Sequence, residues 1–238
     1  MLVLRRALAL TALLPAAFAG AAPAAPLAGH WEGAIQTPSE EIVVAVDLAP
    51  DAGGKLGGTF SIPSQRLNGF PLWSASTDGS AVKLEIKLAD PGIRTFDGRM
   101  SDDGLSIDGQ FLINVYAVPF SLKRNGDARI APPPKSAAID AKLAGAWHGS
   151  LDVAGQTLPF TLTLTNHADR TATGAWSSGG APAIPVAISY DNGTLTRTSP
   201  VTPDSFTGSL SADGTQLSGT LNGGAKPLPV VFTRASGG

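Results

Sequence analysis

The sequence predicts an all-β protein made of two tandem, small, antiparallel β-barrel-like domains that follow a signal peptide. Three observations predict this: a repeated motif, period-two patterning between turn residues, and an apolar leader. The motif at residues 27–33, LAGHWEG, returns at residues 143–149 as LAGAWHG. The shared pattern Gly-x-Trp-x-Gly gives the structural signature residues Gly29, Trp31, Gly33, Gly145, Trp147 and Gly149.

Composition indicates a folded chain and excludes several partners. With 43% hydrophobic and 15% charged residues, the chain is too apolar for intrinsic disorder. The net charge is −2 and no basic run is present, so we expect no nucleic-acid partner. The sequence has no cysteine, which excludes a disulfide framework.

The amino terminus is typical of an exported protein. Arg5 and Arg6 precede the apolar run 7–17, and small residues follow. This order predicts a Sec-type signal peptide over residues 1–21, then a mobile lead over 22–26. The apolar run is too short to span a bilayer comfortably, so we predict a periplasmic or secreted protein with no integral membrane segment in the mature chain.

The first copy alternates short strands with turns. Residues 42–48 are β-branched, residues 82–88 alternate apolar and charged side chains, and Asp78-Gly79 is a tight-turn sequence. Alternation of this kind describes a strand with one face in a core. The predicted strands after residues 42–48 are 56–62, 70–75, 82–88, 95–100, 105–111 and 117–123.

Three consecutive prolines at 132–134 predict an extended spacer between the copies. The second copy then repeats the order of the first, with Trp176 at the place of Phe60 and Phe206 at the place of Phe96. The predicted division is signal peptide 1–21, lead 22–26, domain one 27–124, linker 125–142, domain two 143–234 and tail 235–238.

These motifs together resemble the small β-domain of exported bacterial proteins that often precedes an α/β-hydrolase domain. Copy one keeps the middle-loop motif as residues 61–65 followed by 69–71, whereas copy two keeps 176–178 and 184–185. The hydrolase part is absent, because no Gly-x-Ser-x-Gly elbow occurs. A Gly-x-Trp start followed by a β-meander is also distantly similar to lipocalins and avidins, which close eight strands around a ligand. Each copy is short for such a barrel, so we expect any lumen to be narrow.

Residues for catalysis or metal binding are sparse. The three histidines, His30, His148 and His167, occupy no position common to both copies, and no metal-ligand spacing is present. Acidic pairs occur at 40–41 and 102–103, and a glycosidase would need two acids facing each other across a cleft. Asp103-Gly104 matches Asp213-Gly214 of copy two, which indicates a hairpin turn rather than a catalytic acid. We therefore predict no catalytic residue, no metal and no cofactor, and a protein that is not an enzyme.

The candidate binding residues are those in which copy one differs from copy two. Period two sends Trp73 away from the core, and the hairpin at 112–116 is apolar where copy two has Asn-Gly-Gly. The predicted site consists of Trp73, Tyr116, Gln65, Asn68 and Asn114. The predicted function is an exported binding or accessory module for an apolar small molecule, an envelope glycan or a protein. Two alternatives remain open: a secreted hydrolase of esterase type, and a structural or inhibitory partner of another exported enzyme.

Overall fold

The computed structural model describes residues 27–89, 92–153, 155–224 and 226–234. The predicted signal peptide, the 22–26 lead and the 235–238 tail lie outside these ranges. Within them the chain forms eighteen strands and one short 3-10 turn at Pro63–Gln65. The prediction of an all-β fold is therefore confirmed.

The strands form two antiparallel sheets that each contain nine strands within the described ranges. The first sheet contains β1 (Gly29–Gln36), β2 (Glu41–Pro50), β3 (Leu56–Ile62), β4 (Leu67–Pro71), β5 (Ser74–Asp78), β6 (Ala81–Lys87), β7 (Ile93–Met100), β8 (Ser106–Ile113) and β9 (Tyr116–Arg124). The second contains β10 (Ser136–Ala137), β11 (Gly145–Val153), β12 (Gln156–Asn166), β13 (Thr171–Ser178), β14 (Ile184–Asp191), β15 (Thr194–Thr198), β16 (Ser205–Leu210), β17 (Gln216–Asn222) and β18 (Leu228–Arg234).

The second sheet is a closed barrel. Its order is β10-β13-β12-β11-β18-β17-β16-β15-β14, and β14 also pairs with β13, which closes the eight strands β11 to β18. The short strand β10 pairs with the start of β13, next to the residues of β13 that pair with β14, so part of the predicted linker is itself paired. Ile139 and Leu143, which follow β10, are buried.

The first sheet follows the same order, β4-β3-β2-β1-β9-β8-β7-β6-β5, and curls without a direct β4–β5 ladder. The sequence predicts one strand at 70–75, but the structure divides it into β4 and β5. The cause is a change of partner: the Leu72 amide donates to Gly58 O of β3 at 2.9 Å, whereas the Trp73 amide donates to Glu85 O of β6 at 2.7 Å.

The signature motif plugs one end of each sheet. The indole of Trp31 donates to Leu27 O at 3.0 Å, and that of Trp147 donates to Leu143 O at 2.8 Å. A guanidinium from the last strand covers each ring, with Arg124 at 4.3 Å from the Trp31 centroid and Arg234 at 4.4 Å from that of Trp147. Both tryptophans are fully buried, as expected of packing residues.

The signature also explains the need for glycine on β1. A Cβ on Gly33 would lie 1.9 Å from Ser121 O of the neighbouring β9, closer than any side-chain atom can approach. The absence of a side chain at this position lets β9 pack directly against β1 beside the Trp31 plug.

Replacement of Trp31 by alanine should lower the free energy of unfolding by about 3–5 kcal/mol, because the indole fills the core and leaves a cavity when it is removed. Urea denaturation followed by circular dichroism measures this loss. Val43→Ala is the control: Val43 is 56% exposed on the same sheet, and its loss should change stability by no more than about 0.5 kcal/mol. Equal losses of stability in the two variants would contradict the role of Trp31 as a core-filling residue.

Candidate functional site

Trp73 lies at the junction between β4 and β5, and 46% of its surface is exposed. Its one described aromatic or cation contact is with Lys87 of β6, whose Nζ lies 4.5 Å from the ring centroid. A cation over an exposed indole contributes about 0.5–1 kcal/mol. Trp73 is therefore accessible, and it lines neither of the two clefts described below.

Tyr116 and Asn114 belong to the β8–β9 hairpin at the same end of the first sheet. Asn114 has a left-handed backbone conformation (φ 53°), which turns the hairpin. Val115 and Tyr116 beside it are 89% and 72% exposed, so the predicted apolar tip is exposed. Because β5 and β9 are four places apart in the sheet, Trp73 and Tyr116 are separated by about 19 Å measured along it.

Asn68 contacts the second sheet, and Gln65 lies three residues before it in the chain. Gln65 ends the 3-10 turn and is exposed. The Asn68 amide donates to Val201 O of the second sheet at 2.9 Å, so this residue joins the two sheets. Asn68 also lines a cleft of about 570 Å³ beneath the prolines at 132–134.

A second cleft, of about 460 Å³, lies at the end of the closed barrel opposite the Trp147 plug. We call it the mouth cleft. Loops β13–β14, β15–β16 and β17–β18 surround it, and the first sheet supplies one wall. Its apolar lining includes Leu67, Phe70 and Leu88 of the first sheet and Leu158, Phe160, Trp176 and Ile184 of the second.

The two sheets meet closely beside the mouth cleft. Gly179, in the β13–β14 loop, has a left-handed backbone (φ 57°), and a Cβ there would lie 2.4 Å from Ala89 O of the first sheet. Such proximity requires glycine at this position. The wall contributed by the first sheet is thus fixed against the barrel by direct backbone packing.

Arg197 lies in the uppermost layer of the barrel lumen, under the mouth cleft. It stands one residue before the end of β15, faces inward between Ile188 and Phe206, and is 0% exposed. Its guanidinium lies 4.1 Å from the ring centroid of Trp176, a cleft residue. An Nη1 donor forms an ion pair with Asp204, a second cleft residue.

Most N–H groups of the Arg197 guanidinium have no hydrogen-bond partner among the described residues. Its Nε and Nη2 atoms are buried and make no hydrogen bond within the described residues, and neither does the Ser178 Oγ atom, which borders the mouth cleft. Burial lowers the pKa of Arg197, and the Asp204 carboxylate offsets this only in part. A guanidinium nevertheless stays protonated at neutral pH, so three N–H donors of a buried cation are unused.

The sequence contains a signal for Arg197, although the positions of histidine and tryptophan in the two copies do not reveal it. Alternation in the segment Thr194–Thr198 places Arg197 on the same face as the buried Leu195. The equivalent position in the first sheet is Leu84, which pairs with Phe96 as Arg197 pairs with Phe206. A charged residue thus replaces an aliphatic one at a core position.

A second polar cluster lies on the outer face of the first sheet. His30, which is 5% exposed, places Nδ1 2.7 Å from Asp47 Oδ1 and Nε2 2.8 Å from Glu32 Oε1. The linker attaches to the same acids: Asn125 Nδ2 donates to Glu32 at 2.7 Å, and the Arg129 amide donates to Asp47 at 2.7 Å. The cluster is internally paired and holds the start of the linker on the sheet.

These contacts shift two pKa values. Burial opposes the charge on His30, but the hydrogen bonds to Glu32 and Asp47 together outweigh it and raise the pKa of His30 above its ordinary value. The hydrogen bond from His30, followed by that from Asn125, lowers the pKa of Glu32. The doubly protonated form of His30, in which both ring nitrogens donate, is therefore more stable relative to the neutral form than in an isolated histidine.

The other two histidines contact threonine side chains on exposed surfaces. His148 Nδ1 lies 3.1 Å from Thr161 Oγ1, and His167 Nε2 lies 2.9 Å from Thr173 Oγ1. Throughout the described ranges, no group of three or more His, Cys, Asp or Glu side chains is arranged to hold a metal ion. Nor does the described part contain a helix with the length and apolar character needed to cross a membrane.

No known family model matches the chain, and no curated protein is detectably similar to it. One similar solved structure is a Bacteroides fragilis protein provisionally assigned to the outer membrane, with a TM-score of 0.27 and 14% identity over 88% of this chain and 98% of that one. Another is a DUF3598-family protein of unknown function from Nostoc punctiforme, with a TM-score of 0.26 and 13% identity over 88% of this chain and 97% of that one. At these TM-scores neither structure informs the function, and the fold rests on the strand pairing described above.

The His30 cluster should make stability depend on pH. Because folding raises the pKa of His30, its contribution is fully present below about pH 6.5 and is lost as the pH rises through the raised value. Because folding lowers the pKa of Glu32, its contribution is present above about pH 4.5 and is lost in more acidic solution.

Thermal unfolding followed from about pH 6 to pH 9 should therefore show a decrease in Tm on the alkaline side. His30→Gln, which keeps a hydrogen-bonding side chain but does not titrate, should flatten this decrease. Equal slopes in the two proteins would show that the cluster does not contribute.

Trp73→Ala and Tyr116→Ala should each lower the free energy of unfolding by no more than about 1 kcal/mol, because both side chains are exposed. Urea denaturation of each variant beside the unaltered protein measures this. A loss as large as that expected for Trp31→Ala would place these residues in a core or a seam between the sheets, and would remove them as contact residues.

Proposed function

We propose that this protein is an exported, non-enzymatic binding protein that holds an apolar small molecule in the mouth cleft. The observation that carries the proposal is an apolar cleft at the open end of a barrel whose other end is plugged by Trp147. Binding sites of small molecules are concave, mostly apolar, and often lie in barrel mouths. The volume of about 460 Å³ lies within the range of such sites, about 300–1,000 Å³.

The aromatic floor of the mouth cleft suits an apolar ligand. Phe160 stacks on Trp176 at 5.1 Å between centroids, and Phe232 contacts the edge of Trp176 at 5.8 Å. Phe160 and Trp176 line the cleft, so the apolar body of a ligand would rest on their rings. This arrangement favours a small or elongated molecule over a bulky one.

The contacts of the histidines support a role without catalysis. Nucleophilic hydrolysis needs a hydroxyl or thiol beside a base that a third group orients. His30 contacts two carboxylates, whereas the exposed His148 and His167 each contact a threonine hydroxyl, with no described carboxylate bonded to the ring to orient it. The hydrolase alternative rests on the family resemblance alone, and turnover of nitrophenyl esters by stringently purified protein would support it against our proposal.

A protein partner is a second candidate, favoured by one surface of the first sheet. Ile93, Val115 and Tyr116 expose 44%, 89% and 72% of their surfaces at the same end of the sheet. Exposed apolar side chains grouped in this way often mark a contact between proteins. This surface would serve the accessory role that the resemblance to a hydrolase-associated domain implies, and it would act independently of the mouth cleft.

Filling the mouth cleft should abolish ligand binding. Ala181 lines the cleft and is only partly exposed, so Ala181→Trp would occupy the site. We expect the purified protein to bind the neutral fluorophore N-phenyl-1-naphthylamine saturably, and Ala181→Trp to weaken that binding at least tenfold.

Ala183→Trp is the matched control, because Ala183 is exposed in the same loop but does not line the mouth cleft. It should bind the fluorophore as the unaltered protein does. Circular dichroism establishes that both variants fold. Absence of saturable binding in the unaltered protein, or equal binding by both variants, would contradict the proposed site.

A further inference from the structure

The most unusual group near the mouth cleft is the unused edge of Arg197. A guanidinium offers five N–H donors, and the Nε and Nη2 atoms form a planar fork that matches the two oxygens of a carboxylate. Asp204 uses the opposite side through Nη1, and the Nε–Nη2 edge has no partner in the described residues. Buried donors left unpaired destabilise a fold. The presence of three such donors on Arg197 therefore needs an explanation other than stability.

Packing alone does not explain arginine at this position. Leu84 occupies the equivalent place in the first sheet, is fully buried, and packs beside Phe96 as part of an ordinary core. A buried ion pair is often no more stabilising than apolar residues of similar volume. The second barrel therefore retains a buried cation where the first sheet folds with an aliphatic side chain.

The surroundings of Arg197 connect it to the mouth cleft. Trp176 and Asp204 both line the cleft, and the fully buried Arg197 contacts both of them. Asp204 is also held by Thr202, so the acid stays on one side of the guanidinium. A group that reaches the free edge has to pass these side chains, and rearrangement of side chains on binding is common.

We propose that the ligand of the mouth cleft carries a carboxylate on an apolar body, and that Arg197 binds this carboxylate through Nε and Nη2. The inference rests on the proposed function, since it names the chemical class of the ligand for the same cleft. The apolar body would lie against Phe160, Trp176 and the wall from the first sheet. The Ser178 hydroxyl, also buried without a partner at the cleft, supplies a further donor to a carboxylate oxygen.

Competition between dodecanoate and dodecanol for the site of N-phenyl-1-naphthylamine tests this inference. The two molecules share a tail and differ in the head group. We expect dodecanoate to displace the fluorophore at a concentration at least about tenfold lower, as for hydrogen bonds to a charged group.

Two variants separate the contribution of Arg197 from that of the fold. The double variant Arg197→Leu/Asp204→Asn removes both charges and restores the leucine found in the first sheet; it should lose the preference for dodecanoate and still bind dodecanol. Asp204→Asn alone keeps the cation and removes the competing acid, so it should raise the ratio of dodecanoate affinity to dodecanol affinity several-fold above that of the unaltered protein.

The outcomes distinguish the inference from the proposed function. Failure of the unaltered protein to bind either the fluorophore or dodecanol would overturn the proposed function and the inference with it. Binding of dodecanol and dodecanoate with equal affinity would overturn the inference and leave the apolar site in place. A preference for dodecanoate that survives in the double variant would likewise overturn the role of Arg197.

Discussion

The stacking of an arginine on a buried tryptophan is the interaction on which both sheets depend. It joins the first long strand to the last one, through Arg124 on Trp31 and Arg234 on Trp147. Each guanidinium also donates to carbonyl groups near the start of its unit, at Ala28 and Ala144. The plug therefore fixes where the meander begins and ends, and it leaves the opposite end free to vary.

The variation at that opposite end separates the two sheets. In the first sheet, Phe60 contacts Phe96 at 5.6 Å and Leu84 completes an apolar interior. In the second, Trp176 stands at the place of Phe60 and the charged Arg197 at that of Leu84. The same order of strands thus encloses two different sets of core residues. The set that contains the charged Arg197 lies beside the cleft at the junction of the sheets.

The sequence predicts local features well and distant pairings poorly. Alternation and turn residues suffice for the strands, and the repeat identifies Trp31 and Trp147 as packing residues whose indoles bond to the backbone. It does not reveal that Arg124 and Arg234 cover them, because these partners lie about ninety positions away. For the same reason the sequence does not reveal the cleft, whose walls come from both sheets. Nor does it reveal that Trp73 and Tyr116, which the sequence groups into one site, lie four strands apart in the sheet.

The shared wall of the mouth cleft has a further consequence. Leu67, Phe70 and Leu88 belong to one sheet and the floor belongs to the other, and the Asn68 amide already bridges them. A molecule that contacts both surfaces binds less tightly when the two sheets separate. By thermodynamic linkage, its binding makes separation of the sheets less favourable by the same free energy. A bound ligand would then hold the two sheets together, and its release would let them move apart more easily.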